Sequence, residues 1–122
     1  FPGLPLLLGG RSAGARVACR SAAASAADAV VALSFPLHPP GRPEASRAPE
    51  LLGAGCPVLV LQGERDPFGS PAEVVAAVGT QPAYRIVTVP GCAHELKPAK
   101  RAAFGAADVA ALLLREVASL LP

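Results

Sequence analysis

The sequence predicts an α/β fold, a parallel sheet of about four strands flanked by helices. Two patterns carry that expectation. Apolar runs alternate with helical segments along the chain, and the runs lack the polar alternate positions of a half-solvated strand. Strands of that kind are buried on both faces, as in a parallel sheet covered by helices. A third observation is local: Gly10-Arg11-Ser12-Ala13-Gly14 lies between the first apolar run and the first helical segment.

The elements follow in order. Leu4-Pro5-Leu6-Leu7-Leu8 is a continuous apolar run and reads as a buried strand. Ala13 to Ala27 reads as a helix, with its alanines, Val17 and Cys19 on the buried side. Asp28 precedes a second buried strand, Ala29 to Leu33. Phe35 to Pro49 holds five prolines and reads as a loop. Pro57 to Gln62 is a third strand, β-branched and bounded by proline and glycine. Gly63 to Pro71 is a loop, and Ser70 caps a helix from Pro71 to about Val78. Tyr84 to Val89 is a fourth strand, followed by a loop from Gly91 to Ala99. Lys100 to Leu121 reads as a long helix with Val109, Leu112, Leu113, Val117 and Leu120 on one apolar side.

A chain of 122 residues suits one domain with one core. With 52% hydrophobic residues it is not a disordered chain, and with 16% charged residues and a net charge of +2 it shows no clustered basic face for nucleic acid. No run reaches the length of a membrane span. Phe1 to Leu8 lacks the charged start of a signal peptide. Cys19, Cys56 and Cys92 have no metal-like spacing and read as three buried thiols in a reducing, cytoplasmic compartment. No cofactor or metal is called for. There is no Met, and the first strand is under way by Leu4. We therefore expect residues 1–122 to be the C-terminal part of a single longer domain.

In parallel α/β sheets the functional loops follow the carboxyl ends of the strands. The first strand leads into Ser12 within Gly-x-Ser-x-Gly. Strand, pentapeptide, helix is the context of a nucleophile elbow, in which glycines relieve crowding and the serine hydroxyl is pushed out. A serine needs a base and an orienting acid. The third strand leads into Gly63-Glu64-Arg65-Asp66-Pro67-Phe68-Gly69, and the fourth into Pro90-Gly91-Cys92-Ala93-His94-Glu95. Serine, acid and histidine thus follow three strands in the order Ser12, Asp66, His94. Each has a blander reading. Ser12 fits an anion-binding turn, although no P-loop Lys-Ser/Thr pair is present. Asp66 before Pro67 fits a turn cap, Glu64 is a second acid, and His94 fits a solvent-facing loop. Arg11 fits either an acidic substrate group or an ion pair. His38 fits either a pocket wall or plain structure. Cys92 lies near His94, but Ser12 holds the elbow.

Together Gly-Gly-Arg-Ser-Ala-Gly-Ala-Arg (9–16), Phe-Pro-Leu-His-Pro-Pro-Gly (35–41), Gln-Gly-Glu-Arg-Asp-Pro-Phe-Gly (62–69) and Gly-Cys-Ala-His (91–94) resemble the α/β-hydrolases. The resemblance is to the C-terminal half of that fold. Within it, the segments resemble the dienelactone-hydrolase-like branch and the hydrolases related to a subunit of a chromatin acetyltransferase complex. It implies a serine hydrolase with Ser12 as nucleophile, His94 as base, Asp66 rather than Glu64 as acid, and the Ala13 backbone N–H as an oxyanion donor. The implied substrate is a small ester, thioester or related acyl compound. The resemblance also implies that the preceding strands and the second oxyanion donor lie outside residues 1–122. The rival reading is a catalytically silent scaffold or interaction module. If preceding strands are missing, the edge near Leu4 to Leu8 should be apolar and exposed, fit to take an N-terminal segment or a second copy.

Overall fold

The computed structural model describes residues 3–121; Phe1 and Pro2, at the head of the apolar opening, lie outside them, as does Pro122. Eight elements occur in the order β1 (Leu7–Arg11), α1 (Ala13–Ser21), β2 (Ala29–Leu33), α2 (Ala48–Leu52), β3 (Val58–Gly63), α3 (Pro71–Val78), β4 (Tyr84–Val89) and α4 (Ala106–Ala118). The strands form one parallel sheet in the order β1-β2-β3-β4. Leu8, Val30, Val58 and Tyr84 lie in register across it. The register brings the carboxyl ends of all four strands to one edge.

Alternation along the central strands divides the core in two. Val30, Ala32, Val58 and Val60 face α1, α2 and α3, against Ala15, Ala18, Cys19, Leu51, Val74 and Val78. Val31, Leu59, Leu61 and Val89 face the other way, against Val109 and Leu112 of α4. β3 is buried at every position. β4 is not: Arg85 and Thr88 are exposed, so the expected cover on both faces fails at this edge strand.

The elements differ from expectation where a local signal competes with a tertiary one. β1 begins at Leu7 and continues through Gly9 and Gly10, rather than spanning Leu4 to Leu8. Pro5 has no N–H for a ladder. The Leu6 N–H goes instead to the Asp28 carboxylate (2.6 Å), and Asp28 N–H returns to the Leu6 carbonyl (2.8 Å). α1 stops at Ser21 although alanines continue. Ala26 takes φ 53° and turns the chain back to Asp28, overriding helix propensity. Val17 is half exposed, because the buried face runs Ala15, Ala18, Cys19 and Ala22. Within the proline-rich segment, residues 48–52 form α2, with Pro49 in its first turn, where a missing N–H costs nothing. α4 starts at Ala106, where the Asp108 carboxylate accepts the Gly105 N–H (2.8 Å), and not at Lys100. Cys56 is only partly buried, unlike Cys19 and Cys92.

α3 matches its expected bounds, and Ser70 and Glu73 close a capping box at its start. Leu4 and Leu6, just before β1, are 66% and 42% exposed. No helix among the described residues is long and apolar enough to cross a membrane.

One polar side chain is built into this apolar frame. Gln62, fully buried near the end of β3, accepts from Phe35 N–H (3.0 Å) and donates to the Phe35 carbonyl (2.9 Å) and the Gly69 carbonyl (2.8 Å). It ties the loop after β2 to the loop after β3. Gln62→Leu keeps the size and orphans the Phe35 N–H and the Gly69 carbonyl, while the Phe35 carbonyl keeps the Leu37 N–H (2.9 Å). At about 1–3 kcal/mol for each buried group left unpaired, it should destabilise the fold by more than about 2 kcal/mol. A urea titration checks this through a lower midpoint at unchanged slope.

Candidate active site

Ser12 stands between β1 and α1 with φ 55° and ψ −120°. A non-glycine residue there is strained and must be held by its surroundings. Its N–H donates to the Leu33 carbonyl at the end of β2 (2.9 Å). Its carbonyl accepts from Ala15 N–H (2.9 Å) and Arg16 N–H (3.3 Å), which starts α1. Gly10 is required, because a Cβ there would run into the Gly14 carbonyl. Gly14 itself faces open space, so crowding accounts for the first glycine of the pentapeptide and not the second.

The His94 loop and the Asp66 loop close over this elbow. Ser12 Oγ lies 2.8 Å from His94 Nε2. His94 Nδ1 lies 2.8 Å from Asp66 Oδ2 and 3.0 Å from Oδ1. Asp66 is buried, and its Oδ1 also accepts the Phe68 N–H (2.8 Å). An ionised buried carboxylate needs such donors. With Nδ1 protonated toward Asp66, Nε2 is the acceptor that faces the Ser12 hydroxyl. The Phe68 ring packs on the His94 imidazole with centroids 4.2 Å apart. The two loops touch directly, because Arg65 N–H donates to the Cys92 carbonyl (2.9 Å). Gly63 allows this approach, since a Cβ there would collide with the Ala93 and Cys92 carbonyls.

The side chains of the other sequence candidates form no hydrogen bond to these three among the described residues. Glu64 is exposed and accepts the Gly91 N–H (2.9 Å), so Asp66 is the acid that reaches His94. Arg11 is exposed at the end of β1 and forms no ion pair among the described residues. Ala13 opens α1, and a helix's first N–H has no intrahelical partner, so it is free to meet an anion. Burial raises the Cys92 thiol pKa, which keeps it protonated and disfavours it as a nucleophile. His38 is buried away from solvent, with Nδ1 2.8 Å from the Pro39 carbonyl and Nε2 2.6 Å from Glu73 Oε2. No group of His, Cys, Asp and Glu side chains able to hold a metal occurs among the described residues.

Gly63, Phe68 and Ser34 were not marked as site residues by the sequence. Ser34, fully buried just after β2, donates its hydroxyl to the His94 carbonyl (2.6 Å). A signal existed for Gly63, a glycine ending an apolar strand directly before an acidic turn. Ser34, outside every quoted segment, acts through a main-chain contact, and Phe68, within the 62–69 segment, acts through a ring contact and a main-chain N–H.

Comparison with known proteins places this geometry in context. The profile of a family described as an alpha/beta hydrolase domain matches residues 2–121. No curated protein matches the sequence significantly. Among solved structures, the esterase domain of a Rhodothermus marinus protein superposes with a TM-score of 0.59 at 17% identity, over 92% of this chain and 60% of that one. That likeness is one of fold, and the chain spans 60% of the esterase domain's length.

The His38 pair has a pH signature. A neutral imidazole has one N–H, whereas His38 faces acceptors at both nitrogens, so the charged ring fits best. The Pro39 carbonyl chiefly, then Glu73, hold its pKa above the ordinary 6.5, with the Glu44 charge adding to them. The Ser70 N–H chiefly, then His38, hold Glu73 below the ordinary 4.5. A raised histidine stabilises fully below 6.5 and loses that contribution as pH rises through its folded value. A depressed carboxylate stabilises above 4.5 and loses its contribution as pH falls through its folded value. The melting temperature lost in His38→Gln should therefore be greatest at about pH 5–6 and smaller at about pH 8. Thermal melts of both proteins across that range check the sign.

Proposed function

From a chain that belongs to the alpha/beta hydrolase domain family, we propose a serine hydrolase that acts on a small ester, thioester or related acyl substrate. The observation that carries this reading is the continuous chain of contacts from Ser12 Oγ to His94 Nε2 (2.8 Å) and from His94 Nδ1 to Asp66 Oδ2 (2.8 Å). The strained elbow backbone and the free N–H at the start of α1 support it further.

In this mechanism Ser12 Oγ attacks the acyl carbonyl carbon while His94 Nε2 takes the hydroxyl proton. The carbonyl π pair moves to oxygen, and the Ala13 N–H donates to that oxyanion. The tetrahedral intermediate collapses, the bond to the leaving group breaks, and His94 returns the proton to it. Water then attacks the acyl-serine while His94 Nε2 takes its proton; the acyl–Oγ bond breaks as His94 returns that proton to Ser12 Oγ, and the acid product leaves. Asp66 holds the imidazole with Nε2 toward Ser12 and stabilises the imidazolium between steps. One oxyanion donor is identified on this chain. A missing second donor costs about 10²–10³ in kcat.

The alternative is a fold that keeps this arrangement without turnover and serves as an interaction scaffold. A fluorophosphonate probe separates the two. The hydrolase reading expects covalent labelling that Ser12→Ala abolishes, and in Asp66→Asn a fall of about 10⁴ in kcat on an aryl ester. A wild-type protein that does not label, or a Ser12→Ala protein that labels equally, leaves the scaffold reading standing.

A further inference from the structure

We propose that Ser34 is a positioning residue that sets the distance between Ser12 and His94, a role that rests on the hydrolase reading above. Ser34 lies just beyond β2 and reacts with nothing itself. Its side chain is fully buried, and its hydroxyl donates to the His94 carbonyl at 2.6 Å. Its backbone sits at φ 53°, a conformation that side-chain-bearing residues rarely adopt. Its own N–H donates to the Leu61 carbonyl of β3 (2.9 Å), which fixes it to the centre of the sheet.

The residue before it completes the device. The Leu33 carbonyl accepts the Ser12 N–H (2.9 Å). Adjacent residues of one buried strand end therefore hold both partners of the 2.8 Å Ser12–His94 contact. Leu33 holds the serine by a main-chain acceptor, which any residue supplies. Ser34 holds the histidine by a side-chain donor, which only certain residues supply. The neighbouring loop bonds act elsewhere: Arg65 N–H meets the Cys92 carbonyl, and Leu96 N–H meets the Ala93 carbonyl. Among the described residues, Ser34 supplies the side-chain bond to the main chain of His94 itself. Removing it frees the His94 backbone while Asp66 still holds the ring at its far nitrogen. The imidazole then pivots about that anchor, and the nitrogen facing Ser12 moves most. A misplacement of about 1 Å at reacting atoms costs up to about 10²-fold in rate.

Two variants separate positioning from plain structure. Ser34→Ala removes the hydroxyl and keeps the backbone strain. Ser34→Gly removes the hydroxyl and relieves the strain, because glycine accepts φ 53° freely. It also serves if the alanine variant fails to fold. The intact protein is compared with both by hydrogen exchange over residues 92–96 and by steady-state turnover of p-nitrophenyl acetate. In both variants exchange should rise over that segment, and kcat should fall about tenfold or more with KM within about twofold of wild type. Ser34→Gly should melt higher than Ser34→Ala without recovering kcat. Recovery of activity together with stability in Ser34→Gly would overturn the proposal, as would unchanged exchange or unchanged kcat. If wild-type protein neither labels with fluorophosphonate nor turns over the ester, the hydrolase reading fails by itself. Exchange then decides: a rise over 92–96 sustains the Ser34–His94 anchor, and no rise overturns it.

Discussion

A serine held at φ 55° and ψ −120° is the constraint around which the rest of the structure is arranged. A backbone in that region costs about 1–3 kcal/mol and survives only where its neighbours over-determine it. Here they do so from every side. The N–H is taken by β2, the carbonyl is taken by the first turn of α1, and the hydroxyl faces His94. Gly10 lets the α1 backbone come back over the strand that precedes it. α1 is pinned by Ala15 and Cys19, both fully buried in the sheet core, and by the Arg16–Glu50 ion pair to α2 (2.8 Å). The elbow is thus held by the helix after it, and the helix is held by its packing.

Asp66 and His94 obey a second constraint, that of a carboxylate out of water. Asp66 is buried and accepts from its own turn through Phe68 N–H and from His94 through Nδ1. With Nδ1 protonated toward Asp66, Nε2 is left as an acceptor facing the Ser12 hydroxyl. Phe68 meets both side chains, with its N–H on Asp66 and its ring on His94. This double use needs a turn tight enough to bring residue 68 back over residue 66. The Asp66-Pro67-Phe68-Gly69 sequence supplies one, and the buried amide of Gln62 clamps its end at the Gly69 carbonyl.

What the sequence made legible was type and order. Alternating apolar runs indicated the parallel sheet, and the β2, α3 and β4 spans agree with their patterns closely. Each has an unopposed local signal, such as the Ser70–Glu73 box of α3. Where signals conflicted, the pattern misplaced the ends. Alanines 22–24 favour helix, but the chain must reach the Leu6–Asp28 clamp, and Ala26 turns it there. Pro49 suggested loop and instead occupies a first helical turn. Within the site, Ser12, Asp66 and His94 were readable because each is a reactive type at a strand end. The proximity of the three, the choice of Asp66 over Glu64 and the enclosure of His38 depend on side-chain direction, which spacing alone does not carry.

Ser34 and Phe68, which escaped notice, share one property: they touch His94 without joining the chain of contacts from Ser12 to Asp66. Ser12, Asp66 and His94 follow β1, β3 and β4, and a reading that looks for reactive side chains passes over β2. Yet β2 is paired on both sides and buried along nearly its whole length. It is among the least mobile strands of the sheet, since any displacement breaks ladders on both flanks and opens two cores. Loops anchored to its end inherit that immobility. Leu33 and Ser34 are where the serine and histidine loops are anchored, one through a carbonyl and one through a hydroxyl. On the proposed reading, the strand that contributes none of Ser12, Asp66 and His94 sets how closely Ser12 and His94 approach. This follows from topology: in a four-stranded sheet where Ser12 follows one edge strand and His94 follows the other, the strands between span the gap.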